Sequence, residues 1–138
     1  MYAGSVLHIM KLTEQEKCIY GNGVQVISRE DDCTVYTRKD ETGDARMTCY
    51  HVFPGIDLVY NDIHMQRSGM KPAMNGNFLE INHCREGRAE CECGNQFYYI
   101  TAGDLSIQQR KNCSHESYYP LSHYHGITVR IDVDRAPG

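Results

Sequence analysis

FLEINHCREGRAECECGNQFYYIT, residues 78–101, is the stretch on which the fold reading turns. Phe78, Ile81, Phe97, Tyr98 and Ile100 are the aromatic and β-branched residues that strands favour. Arg85-Glu86-Gly87 and Gly94-Asn95 break the stretch with the glycine-bearing spacing that tight hairpins use. The reading is three strands, 78–84, 88–93 and 97–101, joined by two hairpins. Between residues 89 and 93 small apolar side chains alternate with carboxylates. Cys91 and Cys93 therefore share the core face, and Glu90 and Glu92 face water. That alternation accounts for the Cys-x-Cys spacing without a metal.

The same grammar extends in both directions. Strand-like segments at 24–27, 34–37, 47–53, 57–65, 105–109 and 127–133 are punctuated by turn residues, which is the pattern of an all-β sandwich or barrel. Thr13-Glu14-Gln15-Glu16 has the form of a capping box and starts one short helix. The strongest alternation comes last. His123, His125, Ile127, Val129, Ile131 and Val133 point one way, and Tyr124, Gly126, Thr128, Arg130 and Asp132 the other. Read by hydrophobicity, the first set faces inward and carries two histidines with it.

A chain of 138 residues has the length of one domain. No run approaches the roughly 18 apolar residues of a membrane span. The first residues lack the basic start and apolar stretch of a secretory signal, so a cytoplasmic location is expected. A net charge of −4 argues against a nucleic-acid surface. The 7 cysteines lack the paired spacing of a structural zinc site, and with no secretory signal they are read as reduced, buried hydrophobes.

FPGIDLVYND (53–62), LEINHCREGR (79–88), AGDLSI (102–107) and YHGI (124–127), in that order, resemble the N-terminal effector domain of AraC-type transcriptional regulators, especially those of Firmicutes. The resemblance implies a cupin, a double-stranded β-helix of the jelly-roll type, with a barrel core at about 47–133 and N-terminal strands and loops at 1–46. It implies a helix-turn-helix region after residue 138, absent here, through which alone the protein would touch DNA. The function implied is sensing of a small-molecule effector, such as a sugar or other polar metabolite, with homodimerisation left open.

Cupin enzymes hold a metal through two histidines, a glutamate and a third histidine. Glu80 followed after six residues by Gly87 fits the second half of their first motif. The histidine positions carry Ala73, Met74, Asn75 and Gly76 instead. In the second motif Gln109, Lys111 and Ser114 replace the proline, glycine and histidine, with His115 one place late. Ligands must converge on one ion at about 2 Å. The expectation is therefore no metal, no cofactor and no enzyme, the alternative being a stand-alone metal-dependent cupin isomerase or dioxygenase. No Gly-x-Ser-x-Gly elbow or cysteine signature suggests nucleophilic catalysis. The expected effector site is a pocket inside the barrel bordered by Glu80, His123 and His125, with Tyr99 or Tyr119 closing its side. The Gly103-Asp104 turn is read as architectural.

Overall fold

The computed structural model describes residues 10–69, 71, 76–111 and 114–137. A single described helix, α1 (Glu14–Tyr20), opens it. Thr13 Oγ1 accepts from the Glu16 amide at 3.1 Å, and Glu16 Oε1 accepts from the Thr13 amide at 2.8 Å, completing the expected capping box. Two of the helix's first orphan amides are thereby satisfied, and the helix buries Ile19 and Tyr20.

Nine strands follow among the described residues: β1 (Gln25–Arg29), β2 (Cys33–Asp40), β3 (Gly43–Phe53), β4 (Ile56–His64), β5 (Asn77–Cys93), β6 (Gln96–Thr101), β7 (Leu105–Lys111), β8 (His115–Tyr118) and β9 (Tyr124–Asp132). All their pairings are antiparallel, in the order β1-β2-β3-β4-β9-β5-β6, with β7 and β8 also on β5. The first half of β5 lies between β7 and β9, and its second half lies between β6 and β8. One bent strand thus joins two sheets and curls them around a common interior. No described helix is long and apolar enough to cross a membrane.

Two sequence expectations change here. Arg85-Glu86-Gly87 is not a turn, because β9 offers β5 a continuous partner from Phe78 to Gly87 and the register slips only between Cys84 and Glu86. Gly87 is needed there for close approach. Its φ is 85°, and a Cβ would collide with the His123 carbonyl oxygen. The Gly94-Asn95 hairpin does form, between β5 and β6. At the next turn Asp104 Oδ2 accepts from the Thr101 amide at 2.8 Å, the architectural role expected of Gly103-Asp104. Cys93 is disulfide-bonded, a departure from the reduced reading, whereas Cys33, Cys49, Cys84 and Cys91 are free thiols.

The second change concerns which way β9 faces. Tyr124, Gly126, Thr128, Arg130 and Asp132 are the buried positions, and His125, Ile127, Val129 and Ile131 form the outer stripe. Residues directly opposite in a ladder share a face. Ile107, Ile81, Val129, Leu58 and Tyr50 therefore line up across five strands of the outer surface, with Ile107 61% exposed. The interior holds Tyr36, Met47, Cys49, Val59 and Phe78 together with buried charges.

Candidate functional site

Glu80 and Arg130 face each other across β5 and β9, and Arg110 reaches them from β7. Glu80 Oε2 accepts from Arg130 Nε at 2.9 Å and from Arg110 Nη1 at 3.3 Å. Arg130 Nη1 donates to the Tyr20 hydroxyl at 3.0 Å, tying α1 to the barrel. Tyr20 stacks on Tyr36, whose hydroxyl donates to Glu16, itself paired with Arg29 at 3.0 Å. Arg110 Nη2 also contacts the Cys18 carbonyl at 3.1 Å and His115 Nδ1 at 2.8 Å. Side chains alternate inward along each strand, so these polar groups arrive in the barrel as one set from β5, β7, β8 and β9.

They surround a cavity of about 110 Å³. Among the described residues, Arg38, Lys71, Arg110 and Arg130 line it against one carboxylate, Glu80. The apolar part of the wall includes Met47, Ile63, Met65 and Ile100, and Tyr98, Tyr119 and Tyr124 supply rings. Gly126 leaves room for the Tyr124 ring, which a Cβ would strike. Burial pushes the Glu80 carboxyl up, but Arg110 and Arg130 outweigh it and hold it at about 2. Burial, then Lys71 and Arg110, push His115 down to about 2, so it is neutral. Burial, then Arg110, bring Lys71 down to about 8. Three buried polar atoms at this cavity, Arg38 Nε, Arg110 Nε and Ser106 Oγ, have no hydrogen-bond partner. Buried polar groups are nearly always paired, so such a cluster marks a place where a polar ligand can complete the network.

The structure divides the sequence-level site residues. Glu80 and Tyr119 line the cavity. Tyr99 does not: it is 56% exposed and lies beneath Arg88, whose Cζ is 4.1 Å from the ring centroid. His123 and His125 do not border the cavity either, because the histidine stripe is the outer one. They join His64 on the outer rim, with ring centroids 4.5–5.3 Å apart. His123 Nδ1 lies 3.4 Å from His64 Nδ1, and His125 Nε2 lies 3.5 Å from His64 Nε2. Asp62 Oδ1 is 2.7 Å from both His64 Nε2 and His125 Nε2, and Glu86 Oε1 is 2.9 Å from His123 Nε2. Arg38, Lys71, Arg110 and Arg130 are the charged cavity residues that the sequence reading missed, and His115 was weighed there only as a displaced metal-motif histidine. Arg130 was visible in the alternation of β9, but assigned to the wrong side.

The metal motifs can now be tested on the residues themselves. Ala73, Met74 and Asn75 lie outside the described residues. Glu80 and His115 do converge on the cavity, yet both are held by guanidinium groups, Glu80 by two of them. A divalent cation set between them would face Arg110 and Arg130 at contact range, with Lys71 nearby. The described interior does not fit a cation.

No family model matches the chain, and no curated protein matches it. Solved structures do. A cupin 2 conserved barrel domain protein from Rhodopseudomonas palustris matches with a TM-score of 0.52 at 12% identity, over 83% of this chain and 73% of that one. An HTH_3 family transcriptional regulator from Vibrio cholerae matches with a TM-score of 0.50 at 15% identity, over 67% of this chain and 52% of that one. A variant of oxalate decarboxylase from Bacillus subtilis matches with a TM-score of 0.51 at 14% identity, over 80% of this chain and 29% of that one. The chain thus spans about half the length of the regulator and under a third of the decarboxylase. At these identities the likeness shows the fold, which is the cupin barrel expected from the sequence. Assignment to the AraC type gains no support from the family comparison. The expectation that the chain is no enzyme is overturned as an exclusion, since a decarboxylase stands among its structural neighbours beside a regulator.

Proposed function

We propose that the barrel cavity binds one small organic anion, a short carboxylic acid being the best match. The observation that carries this is the charge ratio at the cavity: Arg38, Lys71, Arg110 and Arg130 against Glu80 alone. Buried charges without partners are costly, and an incoming carboxylate offsets that cost while accepting from the unpartnered Nε atoms of Arg38 and Arg110. A cavity of about 110 Å³ is below the ~300–1,000 Å³ of drug-sized sites, which favours a metabolite of a few carbons. Within an AraC-type regulator this would be the effector site, its occupancy biasing two arrangements of the protein.

A second reading has its own support. Lys71, brought down to about 8 on the cavity wall, is placed to exchange a proton near neutral pH, suited to metal-free proton transfer on the same bound anion. A thermal-shift panel of short carboxylic acids against their neutral amides and against sugars tests the binding claim. Carboxylates are expected to raise the melting temperature with dose, amides and sugars are not, and Lys71→Met is expected to need about 10-fold more acid for the same shift. Stabilisation by sugars alone, or an undiminished response in Lys71→Met, contradicts it. Consumption of the stabilising acid over hours supports turnover, and its recovery unchanged supports sensing.

A further inference from the structure

Outside the cavity, the rim described above gathers three imidazoles and two carboxylates with the opposite electrostatic sense. In the β4–β9 ladder Asp62 pairs with His125 and Ile63 with Tyr124, which sets His64 opposite residue 123. His64, His123 and His125 are therefore neighbours because of strand register, not because of a loop. On β3, Asp44 is the ladder partner of His64, and Glu86 on β5 is the partner of His125. One ring nitrogen from each of His64, His123 and His125 can be chosen so that all three lie within 4.8 Å of one another. The 3.4 Å separation of His64 Nδ1 and His123 Nδ1 comes close to the roughly 3.3–3.4 Å edge that two bonds of about 2.0–2.1 Å subtend at a tetrahedral ion, while the Nε2 atoms of the same two rings are turned to Asp62 and Glu86.

We propose that His64, His123 and His125 bind one transition-metal ion of the zinc class on the outer rim of the barrel, with Asp62 or Glu86 completing or orienting the set. Imidazoles are borderline-soft nitrogen ligands, and the adjacent carboxylates supply charge that balances a dication. Carboxylates that now accept from the ring nitrogens at 2.7–2.9 Å are placed either to ligate or to hold the rings once an ion takes the facing nitrogens. This site is separate from the guanidinium-lined interior and stands whether or not that interior binds an anion. It replaces the sequence-level expectation of no metal, which weighed His123 and His125 without the third ligand that β4 brings. The bound ion would cross-link the end of β4 to the entry of β9.

The test uses the untagged chain, stripped with a chelator and titrated with Co²⁺ and then Zn²⁺. One equivalent of Co²⁺ is expected, with visible ligand-field absorption and no near-ultraviolet thiolate band, and Zn²⁺ is expected to displace it. His64→Ala and His123→Ala are each expected to weaken binding beyond the ~10- to 100-fold that loss of an outer partner costs, and Asp62→Asn by about 10-fold. His83→Ala, an exposed histidine on β5 outside the cluster, is expected to bind as the native chain does. These positions are at the surface, so the variants are expected to keep the native circular dichroism and melting temperature without metal. Binding well below one equivalent, a thiolate band, or undiminished binding by His64→Ala overturns the proposal.

Discussion

The two faces of β9 teach opposite lessons about one strand. Inward, Thr128 and Arg130 are each 6% exposed, and Arg130 is locked to Glu80 and Tyr20. Outward, Ile127, Val129 and Ile131 are half-buried, and the row through Val129 ends at Ile107, 61% exposed. Hydrophobicity would have assigned the faces the other way. A barrel interior that keeps room for a polar guest must present polar groups to it, and these groups stabilise one another through charge-assisted bonds. The outer face is left with apolar side chains that pack sideways across neighbouring strands.

The sharpest way to break this comparison is to remove the interior carboxylate. Glu80→Gln leaves Arg110 and Arg130 buried without their counter-charge. We expect a loss of about 3–5 kcal/mol, read as a fall in the urea midpoint at unchanged slope. A loss below about 1 kcal/mol would mean that the guanidinium groups are solvated and the two faces alike.

Acid probes the same network. Glu80 is held at about 2, below its ordinary 4.5, so its contribution is complete above pH 4.5 and disappears as pH falls toward 2. That is on the order of 3 kcal/mol. His115 is likewise lowered, from 6.5 to about 2, so the folded state binds fewer protons than the unfolded chain across that window. Stability should therefore already decline below pH 6.5 and steepen below 4.5. In His115→Gln the segment between 6.5 and 4.5 should flatten, which denaturant midpoints measured at half-unit pH steps would show. Tyr20→Phe removes the hydroxyl that accepts from Arg130 and should cost about 1–3 kcal/mol in the same assay.

The smallest effect belongs to the outer face. Ile107→Ser should change stability by less than about 0.5 kcal/mol, because the side chain is mostly in water already. A larger loss would show that something covers this surface in solution, and sedimentation of the two chains would detect it.

The strand content, the capping box of α1 and the Gly94-Asn95 hairpin were legible because they rest on local chemistry. Strand alternation puts Phe78, Glu80 and Asn82 on one face, but periodicity carries no sign, and the sign was supplied by Arg130 pairing across to Glu80, a contact 50 residues distant in sequence. β8 was missed because His115-Glu116-Ser117-Tyr118 is polar and short. Its strand character comes from pairing with residues 90–93 of β5. Arg85-Glu86-Gly87 looked like a hairpin because glycine serves close approach as well as turns. His64 sat at the end of a segment read only as a strand, so the cluster it forms with His123 and His125 depended on β4–β9 register. No sequence spacing announces that.

The central claim is that the cavity recognises an anion through its excess of buried cations. Calorimetric titration of the tightest-binding short carboxylate at pH 7 and at pH 9.5 tests it most directly. Lys71, at about 8, loses its charge between these values. The account predicts that affinity falls by about 10-fold in the native chain, a loss of about 1.4 kcal/mol, and that Lys71→Met binds weakly and equally at both pH values. Affinity that is unchanged or stronger at pH 9.5 in the native chain would contradict it.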